Sequence, residues 1–87
     1  MEIKDSYSFD DFRKIIARLR DKDGCPWDRE QTHESLRDCM LEGAYEAAEG
    51  IDIYHQTGDD TNLCEELGDI MLQVMLHAQI GEEEGRF

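Results

Sequence analysis

Leu63-Cys64-Glu65-Glu66-Leu67-Gly68-Asp69-Ile70-Met71-Leu72-Gln73-Val74-Met75-Leu76 is the stretch on which the fold turns. It holds no proline, and Leu63, Leu67, Ile70, Met71, Leu72, Val74, Met75 and Leu76 cover most of a helical circumference. The spacing predicts a helix near 62–80, capped by Asn62 or Thr61, with Asn62 and Glu65 at capping-box spacing. A helix that is apolar nearly all round is buried by several neighbours. One hairpin cannot supply them, so the reading is an all-α helical bundle completed by dimerisation.

Working outward, Gly58-Asp59-Asp60 is a turn, and a second helix is expected near 32–56. Leu36, Cys39, Met40, Ala44, Ala47, Ala48 and Ile51 keep helical spacing along it. A first helix is expected near 8–23, with Ser8 as N-cap and Asp10 and Asp11 in its first turn, where the helix dipole favours negative charge. Phe12, Ile15, Ile16 and Leu19 form its apolar stripe, and Gly24 is expected to end it. Pro26 disfavours helix at Cys25, so Gly24-Cys25-Pro26-Trp27-Asp28 reads as a structured loop. Trp27 can stack on a base or cap the hydrophobic core, and the core or an interface is the expectation, as a lone Trp in a small domain is usually largely buried. No strand, repeat or second domain is expected, so residues 1–87 form a single domain.

Nine basic against twenty-two acidic residues give a net charge of −13. Such a surface repels nucleic-acid polymers and anionic membranes, although a divalent cation can still bridge it to a phosphate ligand. The three cysteines, Cys25, Cys39 and Cys64, fit neither a zinc pattern nor a disulfide framework. With no basic-then-apolar leader and no spanning run, reduced thiols in the cytoplasm are the expectation.

The acidic residues are not spread evenly. On a wheel of about 100° per residue Glu42, Glu46 and Glu49 share one stripe, with Glu46 at the edge of the apolar face. Glu66, Asp69, Gln73 and His77 share another on the next helix. Antiparallel packing brings Glu46 towards Glu66 and Asp69, where three carboxylates raise one another's pKa unless a cation neutralises them. Hard oxygen donors without a Cys or an obligatory His suit Mg²⁺, with Mn²⁺ as the alternative. An isolated Glu-x-x-Asp is usually a solvated acidic face. Two such clusters flanking one turn and bordering apolar stripes weigh against that here. A di-iron site asks for Glu-x-x-His, whereas Asp69 stands at that spacing from Glu66. His33 at the helix start and His77 within the core carry no ligand assignment.

Two segments resemble a known family. Cys25-Pro26-Trp27-Asp28-Arg29-Glu30-Gln31-Thr32-His33-Glu34-Ser35-Leu36 is similar to the opening signature of MazG-type nucleoside triphosphate pyrophosphohydrolases. Glu65-Glu66-Leu67-Gly68-Asp69-Ile70-Met71-Leu72-Gln73-Val74, followed by His77-Ala78-Gln79, resembles their second motif. The resemblance implies a dimeric, Mg²⁺-dependent all-α enzyme that cleaves nucleoside triphosphates to monophosphates and pyrophosphate. The family's Glu-Glu-x-x-Glu pattern places its first Glu on Glu42 and its last on Glu46, and Glu66 and Asp69 fill Glu-x-x-Asp unchanged. The middle Glu falls on Gly43, which supplies no ligand and costs roughly 1 kcal/mol of helix stability against Ala. Water or Glu42 fills the gap, or the site is weakened. Similar proteins also continue into a further helix with a basic segment, and after Arg37 this chain has Arg86 alone among Lys and Arg. The tail Gly81-Glu82-Glu83-Glu84-Gly85-Arg86-Phe87 therefore reads as a connection to a missing C-terminal helix.

The expected chemistry is hydrolysis between the α and β phosphates. Glu46, Glu66 and Asp69 are the metal ligands, and Glu42 or Glu49 is the base or an outer ligand. The partners are a nucleoside triphosphate and a second copy of the chain, as a homodimer or higher homo-oligomer. The competing reading is a non-catalytic helical dimer acting as an interaction or regulatory module. A narrower substrate, as in phosphoribosyl-ATP or dUTP pyrophosphohydrolases, fits the Cys-Pro-Trp-Asp segment less well than the MazG branch.

Overall fold

A computed structural model of the chain describes residues 8–87. The described residues form four helices and no strand: α1 at Phe9–Leu19, α2 at Pro26–Glu30, α3 at His33–Thr57 and α4 at Thr61–Glu83. The all-α class follows the apolar periodicity, while the helix ends depart from it in instructive places.

Ser8 caps α1 as expected. Its Oγ accepts the Asp11 N–H at 3.1 Å and the Asp11 carboxylate accepts the Ser8 N–H at 3.0 Å. The helix stops at Leu19, however, four residues short of the expected end. Residues 20–25 fold back on it, with the Cys25 N–H donating to the Leu19 carbonyl at 2.8 Å. Gly24 does not terminate the helix but permits this return, since a Cβ there would stand 2.2 Å from the Arg18 carbonyl oxygen. The expected loop contains α2, with Pro26 in its first turn, where a missing N–H costs nothing. Trp27 on α2 is 60% exposed, so it is not a core residue of this chain.

Thr32 caps α3, exchanging hydrogen bonds with Ser35 at 3.0 and 2.9 Å. The helix ends on Gly58, whose φ of 77° lies in the left-handed region open to glycine. Neither Thr61 nor Asn62 caps α4. Asp60 is the N-cap without a side-chain cap bond, and the Asp59 Oδ1 accepts the Thr61 N–H at 3.0 Å. Asn62 lies within α4 beside Gly50, where an added Cβ would meet the Leu63 Cα at 3.0 Å. The two helices approach backbone to backbone at that point. At the other end α4 runs on to Glu83, three residues beyond the expected end, and closes in a helix stop. The Arg86 N–H donates to the Gly81 carbonyl at 2.9 Å and the Gly85 N–H to that of Glu82 at 3.0 Å, a Schellman motif.

Ile16 from α1, Leu36 near the start of α3, and Met75, Leu76 and Ile80 from the second half of α4 form the core, with Phe12, Leu19 and Leu72 against it. This core occupies one end of the α3–α4 hairpin. At 1.5 Å per residue α1 spans about 16 Å, whereas α3 spans about 37 Å, so α1 cannot cover the half near Gly58. Ile51, Tyr54 and Leu67 are about half exposed there, and Met71 and Val74 further along α4 are half exposed as well. The radius of gyration, 14.8 Å, exceeds the ~12 Å of an ordinary domain of this length.

Arg20 locks the closed end. Its side chain is 6% exposed, and its Nε and Nη2 donate to the Glu83 carboxylate, both at 3.0 Å. Its Nη1 donates to the Asp28 and Gln31 carbonyls at 2.6 and 2.9 Å. One guanidinium thus joins the end of α1, α2 and its C-cap, and the end of α4. The contact holds the Glu83 carboxyl below the usual carboxylate range, chiefly through the Arg20 hydrogen bond.

Candidate active site

The α3–α4 seam carries a cavity of about 180 Å³ lined by Cys39, Glu42, Gly43, Glu46, Asp69, Leu72 and Gln73. Helical phase explains the membership. Residues 39, 42, 43 and 46 recur at three- and four-residue spacing on α3, and 69, 72 and 73 do so on α4. Glu66 adjoins the group through Glu46, and the hydrogen-bonding contact between these carboxyls raises the Glu66 pKa. Burial, the charge of Glu46 and that of Asp69 push it the same way. The Glu66 Oε2 is buried without a hydrogen-bond partner, as is the Oε1 of Gln73, a residue of the cavity wall.

Four of the five residues singled out from sequence therefore lie together. Glu42, Glu46 and Asp69 line the cavity, and Glu66 touches Glu46. Glu49 is exposed on α3 and does not line it. Gly43 is buried, and a Cβ at that position would meet only the Ile70 Cγ1, at an ordinary 3.7 Å. Among the described residues, no group of three or more His, Cys, Asp or Glu is gathered in a metal-holding arrangement. The donor chemistry still fits a hard divalent cation. The carboxylates of Glu46, Glu66 and Asp69, one of them with a buried, unpartnered oxygen, offer hard oxygen donors of the kind Mg²⁺ takes.

Sequence reasoning missed two features. Gln73 was visible on the acidic stripe, but its unpartnered oxygen was not. His33 and His77 also pair with each other, Nδ1 to Nδ1 at 2.7 Å, with rings parallel within 1°. They line a second cavity, of about 350 Å³, with Glu34, Arg37, Met40 and Leu41. Burial, and then the charge of His33, hold the His77 pKa below its ordinary value.

The described fold is an all-α helical hairpin that gathers carboxylates from two motifs along one seam. Residues 31–87 match the family described as the MazG nucleotide pyrophosphohydrolase domain, and the chain belongs to that family. It is 48% identical over 79 residues to a Thermotoga maritima protein named nucleoside triphosphate pyrophosphohydrolase/pyrophosphatase MazG, covering 91% of this chain and 29% of that one. It is 45% identical over 74 residues to the nucleoside triphosphate pyrophosphohydrolase of Escherichia coli K12, covering 84% and 27%. A Bacillus subtilis protein named uncharacterized protein YabN is 53% identical over 81 residues, covering 93% of this chain and 16% of its own length. The chain thus spans well under a third of each of these relatives.

Proposed function

We propose that this chain hydrolyses nucleoside triphosphates to nucleoside monophosphate and pyrophosphate with Mg²⁺ as its cation, Mn²⁺ being the substitute. The supporting observation is the Glu46–Glu66 carboxylate contact beside a cavity that also takes Glu42 and Asp69. Glu46, Glu66 and Asp69 would hold the cation, which supplies charge neutralisation for the phosphate oxygens. A chain of net charge −13 repels a triphosphate by itself, so binding depends on that neutralisation. Glu42 is the better placed of the two candidate bases because it lines the cavity and Glu49 does not. Its carboxylate accepts the proton of a water that attacks the α-phosphorus. The bond to the bridging oxygen breaks, and pyrophosphate leaves. Leu72 supplies an apolar part of the wall. A nucleotide substrate and unpaired cysteines support a cytoplasmic reading, and no helix among the described residues is long and apolar enough to cross a membrane.

Gly43 favours the rival reading of a non-catalytic interaction module, and one substitution separates the two. A Cβ at position 43 would meet Ile70 only at an ordinary contact distance, so the backbone there admits a side chain. Affinity for hard cations follows ligand charge count, so Gly43→Glu is expected to tighten Mg²⁺ binding about tenfold and to raise turnover. The measurement is pyrophosphate release against Mg²⁺ concentration. If neither affinity nor rate moves, and the parent is not stabilised by Mg²⁺ in a thermal melt, the module reading prevails.

The half-exposed Leu67, Met71 and Val74 on α4, at a spacing of four and three residues, make a second copy of the chain the partner that completes the bundle. Sedimentation at micromolar concentration is expected to show a dimer or tetramer, and Met71→Lys to shift it towards monomer. A folded monomer of the parent would contradict the assembly.

A further inference from the structure

His33 opens α3 and His77 lies in the second half of α4, and their rings meet Nδ1 to Nδ1 at 2.7 Å. The ring planes are parallel within 1° and the ring centres are 5.0 Å apart. That separation is the nitrogen–nitrogen contact lengthened by one ring radius at each end. The rings therefore lie end to end, close to one plane, with a proton between them. The Nε2 of His77 is buried without a partner, and the pair borders the cavity of about 350 Å³ that Met40 and Leu41 also line. Neither histidine lines the acidic seam.

Two neutral imidazoles carry two protons on four nitrogens. The contact uses one of them, on one Nδ1, and the other sits on an Nε2. A third proton fills the remaining Nε2 and leaves the contact intact. A fourth puts a second N–H on the line between the rings, where two donors then face each other with no lone pair to accept. We propose that the His33–His77 contact is an acid-released latch, which ties the first turn of α3 to α4 while the pair is neutral or singly charged and lets go when it is doubly charged. The charged side chains that share its cavity are Glu34 and Arg37, both of α3, and Arg37 is paired with Asp38 at 3.2 Å. From α4 the cavity takes His77 alone, and from α1 nothing. Burial and then the charge of His33 hold the His77 pKa below its ordinary value of 6.5. The unfolded chain takes up this proton near the ordinary value and the folded chain only at lower pH. The latch thus contributes its full stability above that value and loses it as the pH falls from there through the lowered pKa of His77. The inference is independent of the cation reading.

Two substitutions test it. Asn at position 77 offers both a carbonyl oxygen and an N–H near the place of the Nδ1, so His77→Asn meets His33 in either protonation state and does not titrate. His77→Leu offers no partner. Thermal melts of the parent and both variants run from about pH 7.5 to about pH 5, the range in which histidine changes charge. On acidification the parent midpoint is expected to fall by about 4–8 °C relative to His77→Asn, the scale of one hydrogen bond lost in a domain of this size. The other titrating groups are common to both proteins and cancel in the difference. His77→Leu should start lower than the parent by a similar amount and show no such fall relative to His77→Asn. Ring-nitrogen NMR of the parent, with exposed His55 as the internal reference, should show the pair taking up protons in two separate steps, the second coinciding with the fall in midpoint. This spectrum carries the test if a variant does not fold. One step common to both rings would overturn the latch, as would a parent and His77→Asn that respond alike to pH.

Discussion

Asp69→Ala is expected to lower pyrophosphate release by at least about 100-fold, because loss of even an outer-shell partner costs about 10–100-fold at a metal site and Asp69 would be a direct ligand. Asp69 lines the cavity shared with Glu42 and Glu46, and its charge is one of the causes that raise the Glu66 pKa. Removing it relieves repulsion in the cation-free chain, so the substitution should not harm the fold. It should instead cancel the stabilisation that Mg²⁺ provides, which is about 2.7 kcal/mol when free cation stands 100-fold above its dissociation constant. Melts with and without Mg²⁺ therefore give a paired result: a cation-dependent shift in the parent and none in the variant. A variant that melts like the parent under both conditions and retains its rate would make these carboxylates a solvated face.

Arg20→Met is expected to produce the largest loss of stability. The substitution leaves two carbonyls, of Asp28 and Gln31, and the Glu83 carboxylate without their donor. Breaking a buried pair from one side costs about 3–5 kcal/mol. Glu83 is 38% exposed and regains water, which places the expected cost near the lower figure. For a domain of this size about 3 kcal/mol corresponds to a fall in melting temperature of roughly 12–24 °C. Calorimetry at matched protein concentration checks it, since the proposed self-association would make the midpoint concentration-dependent. A fall below about 4 °C would mean that the guanidinium bridge contributes little and that Ile16, Leu36 and Ile80 hold the closed end alone. Activity should fall with stability here but recover on cooling, because Arg20 does not line the carboxylate cavity.

The helices of the hairpin were legible because their signals are local. Thr32 and Gly58 mark the ends of α3 within the chain's own first and last turns, and the apolar residues of α4 leave no alternative to helix. What failed was set by contacts between distant residues. The first helix ends early because Arg20 turns inward to reach Glu83, 63 residues away, and no pattern around residue 20 records that destination. His33 and His77 each looked unremarkable alone, and their pairing joins residues 44 apart. Glu42, Glu46, Glu66 and Asp69 were found together because helical phase and the motifs agree. Glu49 shares the phase, but seven residues at 1.5 Å each carry it about 10 Å along the axis from Glu42, past the cavity. A wheel keeps angle and discards height. Gln73 was on the same stripe throughout, and only the burial of its oxygen distinguishes it from a solvated amide.

The central claim is that the seam cleaves between the α and β phosphates. The most direct test is product analysis by ion-exchange chromatography or ³¹P NMR after incubating the chain with a panel of NTPs and dNTPs at millimolar Mg²⁺. Nucleoside monophosphate and pyrophosphate in equal amounts, absent without the cation and absent with Asp69→Ala, are the predicted result. Nucleoside diphosphate with inorganic phosphate, or no product from any nucleotide while Mg²⁺ leaves the melting temperature unchanged, would contradict it.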